Sequence, residues 1–218
     1  MVQAQAAPYV HSAQQRSRWQ MRLSYTQDAL LICLTALFVY VHGGHALETG
    51  HPTSVLFAID QGILVVLFLS RRRTNTTSTR VWDWVVAGIG GWITLAIQPH
   101  ETGGVFAEIG VGLQVVGLLF LLVALSSLGR SFGVVAANRG LKTGGAYRVV
   151  RHPIYLAHAV VAIGFLMGNF WWVNIVIWLT AITFQVLRIR AEERVLSETS
   201  DYQSYQAKVR WRLVPGIY

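Results

Sequence analysis

Charge is scarce in this chain. Of its 218 residues only 13% are Asp, Glu, Lys or Arg, against roughly 25% in an ordinary soluble domain. Polar residues also collect mainly between its apolar blocks, which argues against a soluble domain built around a large core. Cysteine is nearly absent: Cys33 stands alone, so an intrachain disulfide framework and a cysteine-rich metal site are both excluded. HExxH, a Cys/His cluster, GxSxG and a Walker loop are missing too, and no metal is expected. Acidic residues number 10 against 18 basic ones, a net charge of +8. The basic residues do not share one face. They lie in short groups beside apolar blocks, as the positive-inside rule describes, and so give no case for nucleic acid. A cleavable signal peptide is not expected, because the first apolar run, from about Asp28, is long and lacks a small-residue cleavage site.

What the chain has is hydrophobicity, 53% of residues with a mean hydropathy of +0.44. Residues 1–24 read as a flexible basic N-terminus and 25–218 as a single membrane domain, its catalytic part about 139–218. Four runs suit a hydrocarbon layer about 30 Å thick: Ala29 to Leu47, Ser54 to Ser70, Val81 to Gln98 and Val105 to Leu128. A fifth, Ile154 to Leu187, is too long for one pass and breaks at Gly168-Asn169, which predicts a tight helical hairpin. Loops 42–52 and 98–104 hold no Lys or Arg, whereas 71–80 and 129–151 are basic, as are both ends. The pattern predicts an all-α polytopic membrane protein of about six segments, with both termini and the active site cytoplasmic, in the cell inner membrane. From Arg188 a helix of about twenty residues is expected to leave the membrane.

Within the spans, Ala87 with Gly91 and Gly110-Val111-Gly112 offer small surfaces for helix packing. Asp60, Gln61, Asp83, Glu108 and Gln114 are polar at membrane depth, which by default flags function. Asp83 and Glu108 sit near span ends and are expected to be solvated. Asp60-Gln61 lies centrally and either faces a cavity or packs.

Two polar groups flank the hairpin. One is GAYRVVRHPIYLAH (145–158), with Tyr147, Arg151, His152, Pro153 and Tyr155; the other is RIRAEERVL (188–196). An up-and-down hairpin returns both to one end, in a pocket at the membrane surface. Arg151 and His152 suit a carboxylate or phosphate. Glu192 and Glu193 suit ribose hydroxyls, an amine or a cation, and Tyr147 and Tyr155 a flat base or a sulfonium. Pro153 fits the first turn of the helix it opens. S-adenosylmethionine carries all the matching groups. Arg188 and Glu192, four apart, can meet on one helix face. His158 reads as a lone structural histidine, Tyr202 and Tyr205 as packing, and Arg148 as a headgroup anchor.

LKTGGAYRVVRHPIYLAH (141–158) resembles the pattern L-x-T-x-G-P-Y-x-x-V-R-H-P-x-Y-x-G of the isoprenylcysteine carboxyl methyltransferase and phospholipid methyltransferase superfamily. RIRAEERVL, then Tyr202, Tyr205 and RLVPG (212–216), resembles that superfamily's R-x-x-x-E-E-x-x-L and closing segment. Ala146 stands where proline is usual and Ala157 where glycine is usual. The resemblance implies a membrane methyltransferase using S-adenosylmethionine. Tyr147, Arg151, His152, Pro153 and Tyr155 would form one wall of the cofactor site and Glu192 and Glu193 the other, with Arg188 nearest the acceptor. Arg188 and Glu192 are the expected catalytic pair. The acceptor would be lipophilic and enter from the bilayer, an isoprenylcysteine-type carboxylate first and a phospholipid amine second, with no obligate protein partner. Membrane sterol reductases, which bind NADPH, share a related Arg-His-Pro-x-Tyr segment. They differ from this chain at Ile154 and His158, and reduction stands as the alternative.

Overall fold

The computed structural model describes residues 18–70, 80–100, 102–128 and 141–218, and among these every regular element is helical. Seven α-helices follow in order: α1 Arg18–Thr49, α2 Pro52–Ser70, α3 Val81–Trp92, α4 Val105–Leu128, α5 Pro153–Gly168, α6 Trp172–Leu196 and α7 Ser200–Lys208. Short 3-10 turns occupy Ile93–Ala96 and Gly145–Arg148. The N-terminal residues to 17 and most of both basic loops lie outside the described residues. From Arg18, however, the chain is already helical, well before the apolar run.

Among the described residues two helices, α4 and α6, are long and apolar enough to cross a membrane. Pro52–Leu67 of α2 and all of α5 are apolar but shorter. The third expected span is cut short, because α3 tightens into a 3-10 turn after Trp92 and the backbone is extended at Ile97. Large apolar side chains such as Val116, Leu119, Val123, Val176 and Leu179 are exposed along α4 and α6. A water-facing helix would carry polar residues there, so the surface points to a membrane protein.

The sequence break at Gly168-Asn169 falls where α5 ends, at Gly168. The tight hairpin is one in connectivity only, since α5 packs along α4 and barely touches α6, which lies on α3. The reason is steric. A Cβ on Gly110 would come within 2.4 Å of the Gly164 carbonyl oxygen, and one on Gly164 within 2.5 Å of that of Gly110. Glycine at both positions lets α4 and α5 close backbone to backbone, with Gly117 against Val161 further along. With α5 held by α4, its other side opens toward α6.

The polar residues of the spans divide. Gln114 is fully buried and donates from Nε2 to the Thr53 carbonyl at 3.0 Å, joining α4 to α2. Glu108 is exposed as expected. Asp83 is not: it is buried, and Arg194 of α6 donates to its carboxylate. No backbone break separates Leu187 from Arg188. The expected exit helix is the last turns of α6, which change polarity without changing conformation, and a separate helix, α7, begins only at Ser200.

Candidate active site

Pro153 sits in the first turn of α5, its fixed φ and missing N–H suited to that position. This leaves Arg151 and His152 just outside the helix, where their N–H groups donate to the carbonyls of Trp211 and Arg212, both at 2.9 Å. The chain after α7 therefore folds back as a strap. Arg151 grips it through Nη1, which donates to the Val209 and Arg210 carbonyls at 3.0 and 3.2 Å.

Beneath the strap the two sequence groups meet. Glu193 accepts from Arg151 Nε at 2.7 Å on Oε1 and from Arg212 Nε at 2.7 Å on Oε2. His152 Nε2 stands 3.2 Å from the same Oε1, and its Nδ1 lies 3.9 Å from Glu192. One carboxylate thus balances two guanidiniums and an imidazole, all but Arg212 buried. One turn into α5 the Tyr155 hydroxyl donates to Glu192 Oε2 at 2.9 Å. The Arg188 guanidinium lies 5.3 Å from the centre of the Tyr155 ring, within cation–π range, and donates to Gln185 Oε1 at 2.8 Å. Arg148, read as an anchor, is exposed.

Between α5 and α6 lies a cavity of about 250 Å³. Its wall includes Tyr147, Arg151, His152, Tyr155, Arg188 and Glu192, so six of the eight predicted site residues border one space. Glu193 and Pro153 are outside that wall, one bonded to Arg151 and His152, the other opening α5. α7 closes one side with Tyr202 and Tyr205. The Tyr205 hydroxyl donates to the Tyr147 carbonyl at 2.7 Å, a packing role as expected. Burial pushes its pKa up to about 12, Arg151 opposing and Glu193 adding to the shift. Burial also raises the Tyr147 and Tyr202 hydroxyls, so all three stay protonated at neutral pH. Tyr202 departs from a pure packing role, because its buried hydroxyl has no hydrogen-bond partner among the described residues yet belongs to the cavity wall.

Residues 110–198 match the isoprenylcysteine carboxyl methyltransferase (ICMT) family. The matched segment contains both sequence groups and all eight predicted site residues. Among curated proteins, no relative matches. The α1 to α3 part of the cavity wall and the closing strap lie outside the matched ICMT segment.

Sequence reasoning missed three features. Arg212 was read only as part of a closing segment, and its bond to Glu193 follows from the path of the strap. Asp83 has its partner 111 positions away. His158 is no lone histidine: its Nδ1 lies 3.0 and 3.2 Å from the two oxygens of Asp60, and both residues line the cavity. Two polar residues on two apolar helices were visible in the sequence, but their pairing was not.

Proposed function

We propose that this protein transfers a methyl group from S-adenosylmethionine to the polar head of a lipophilic acceptor. The observation that supports this most is the junction of Tyr155 with Glu192 beside Arg151 and His152, in the wall of one cavity and inside the segment that matches a methyltransferase family. The residues present fit the cofactor. Tyr202 offers a buried hydroxyl with no partner among the described residues, Glu192 a carboxylate for an amine or ribose, and Tyr147 and Tyr155 rings for a base or sulfonium. Tyr147, Arg151, His152, Tyr155 and Glu192 would hold it, with Pro153 and Glu193 fixing where Arg151 and His152 stand. When bound, S-adenosylmethionine supplies an electrophilic methyl on a sulfonium.

The chain's own part is binding, orientation and exclusion of water, which suits a reaction that neutralises charge. Glu193 fixes Arg151 and His152 in advance, so little order is lost when a ligand arrives. Arg188, held over Tyr155, stands where it can orient an acceptor oxygen. An isoprenylcysteine-type carboxylate, already ionised, would ask only for that orientation, whereas an acceptor that carries a proton would ask for a base as well. The exposed apolar flanks of α4 and α6 support entry of a lipid from the bilayer. We take the chain to be multi-pass, with about six segments and its site and termini on the cytoplasmic side of the cell inner membrane.

Saturable binding of S-adenosylmethionine to the purified protein in detergent tests the reading, with Glu192→Gln expected to weaken it. Binding of NADPH with none of S-adenosylmethionine would favour the reductase alternative and overturn this one.

A further inference from the structure

The cavity wall holds a pair that the cofactor site does not use. Asp60 of α2 is 2% exposed, and its carboxylate accepts from Gln61 Nε2 at 3.0 Å as well as meeting His158 Nδ1 at 3.0 Å. A desolvated carboxylate favours a donor at that nitrogen, which fixes Nδ1 as the protonated one. In the neutral ring His158 Nε2 then carries the lone pair. That atom is buried and has no hydrogen-bond partner among the described residues, and His158 borders the cavity. Buried polar atoms are nearly always paired, so an orphan in a cavity wall marks a place where a ligand supplies the partner. His158 follows Tyr155 by three residues, one turn further into α5 on the same face. It lies further along α5 than Tyr155, and Phe57, Leu64 and Ala162 are among the apolar residues that line the same cavity.

We propose that Asp60 and His158 form a proton-accepting dyad for the methyl acceptor, and that the acceptor is a lipophile whose nucleophile carries a proton: an amine, a hydroxyl or a thiol. This rests on the methyl-transfer reading above and names its acceptor class. The nucleophile's lone pair forms a bond to the methyl carbon as the carbon–sulfur bond breaks. That bond's pair stays on sulfur, which becomes a neutral thioether. The nucleophile's proton passes to His158 Nε2, and the imidazolium is balanced by Asp60. Afterwards the proton leaves to solvent. A carboxylate acceptor has no proton to give and would leave the dyad idle.

The first test needs no cofactor. In the protein labelled with 15N-histidine in detergent at pH 7.5, the resonances lost in His158→Gln report the ring of His158. Nε2 in its unprotonated range with Nδ1 protonated is expected; a doubly protonated ring overturns the dyad. The second test offers methyl-labelled S-adenosylmethionine with phosphatidylethanolamine, dodecanethiol, nonylphenol or N-acetyl-S-farnesylcysteine. Label on at least one of the first three is expected. In His158→Gln its kcat should fall roughly 100-fold, the scale of general-base catalysis, with cofactor Kd and acceptor KM within about twofold. Asp60→Asn should cost less, about tenfold, since the imidazole remains. Label on the farnesylcysteine alone, on none of the four, or at an undiminished rate in His158→Gln overturns the proposal. Absence of cofactor binding to the unsubstituted protein instead overturns the methyl-transfer reading itself.

Discussion

The two ends of the α5–α6 pair are both tied by buried polar side chains, and the ties differ in kind. At the turn between the helices the tie is neutral. Asn169 accepts from the His100 N–H at 3.0 Å and donates to Thr53 Oγ1 and the Phe165 carbonyl. Asn174 exchanges bonds with both the N–H and the carbonyl of Gln98. Both amides are fully buried, and nothing about them calls for a ligand. At the other end the tie is ionic, built on Glu193, and it borders the cavity. Amides can close a turn at low electrostatic cost, because they bury dipoles rather than charges. Charges are retained at the end where Arg151 and His152 must stand ready in the cavity wall.

The sharpest way to break this contrast is Glu193→Ala. It strands Arg151 and His152 as buried groups without their counter-charge and is expected to cost about 3–5 kcal/mol, read as denaturant unfolding in detergent. Asn169→Ala should cost less, about 1–3 kcal/mol, and leave affinity for S-adenosylmethionine unchanged. A binding defect as large as that of the cavity variants would erase the difference between the ends. Smaller in stability but specific to the cavity is Tyr155→Phe. Loss of the hydroxyl from Glu192 should weaken S-adenosylmethionine roughly tenfold, the worth of one charge-assisted hydrogen bond, in a titration, with the melting temperature held. The slightest effect is on pH dependence. Tyr205 has a folded pKa raised to about 12, above the unfolded value of about 10. Its contribution is therefore complete below pH 10 and lost as pH rises through 12. Tyr205→Phe should flatten unfolding stability across that window.

Legibility tracks distance along the chain. Pro153 opening α5 and the break at Gly168-Asn169 were readable because each is decided by its neighbours, through a fixed φ or a helix end. The meeting of Tyr155 with Glu192 was readable because connectivity alone returns the two ends of a hairpin to one level. The parting of α5 from α6 was not. It depends on Gly110 and Gly164 facing one another, and small residues in an apolar run do not state their partner. Nor was the place of Arg151, which topology brings to a pocket at the membrane surface and the fold makes also the anchor of the 209–212 strap.

By itself the sequence determined that the chain is helical and apolar, that one basic and one acidic group flank its last helices, and that those groups resemble a methyltransferase. The first two are properties of composition, period and spacing and the third is a resemblance of motifs, and all of them survive without coordinates. Only the tertiary structure decided that Asp83 is buried against Arg194, that Glu193 serves three cationic or imidazole groups at once, and that Asp60 faces His158. Charges and imidazoles in an apolar protein must find partners wherever packing brings them. That choice belongs to helix contacts separated by up to 111 positions.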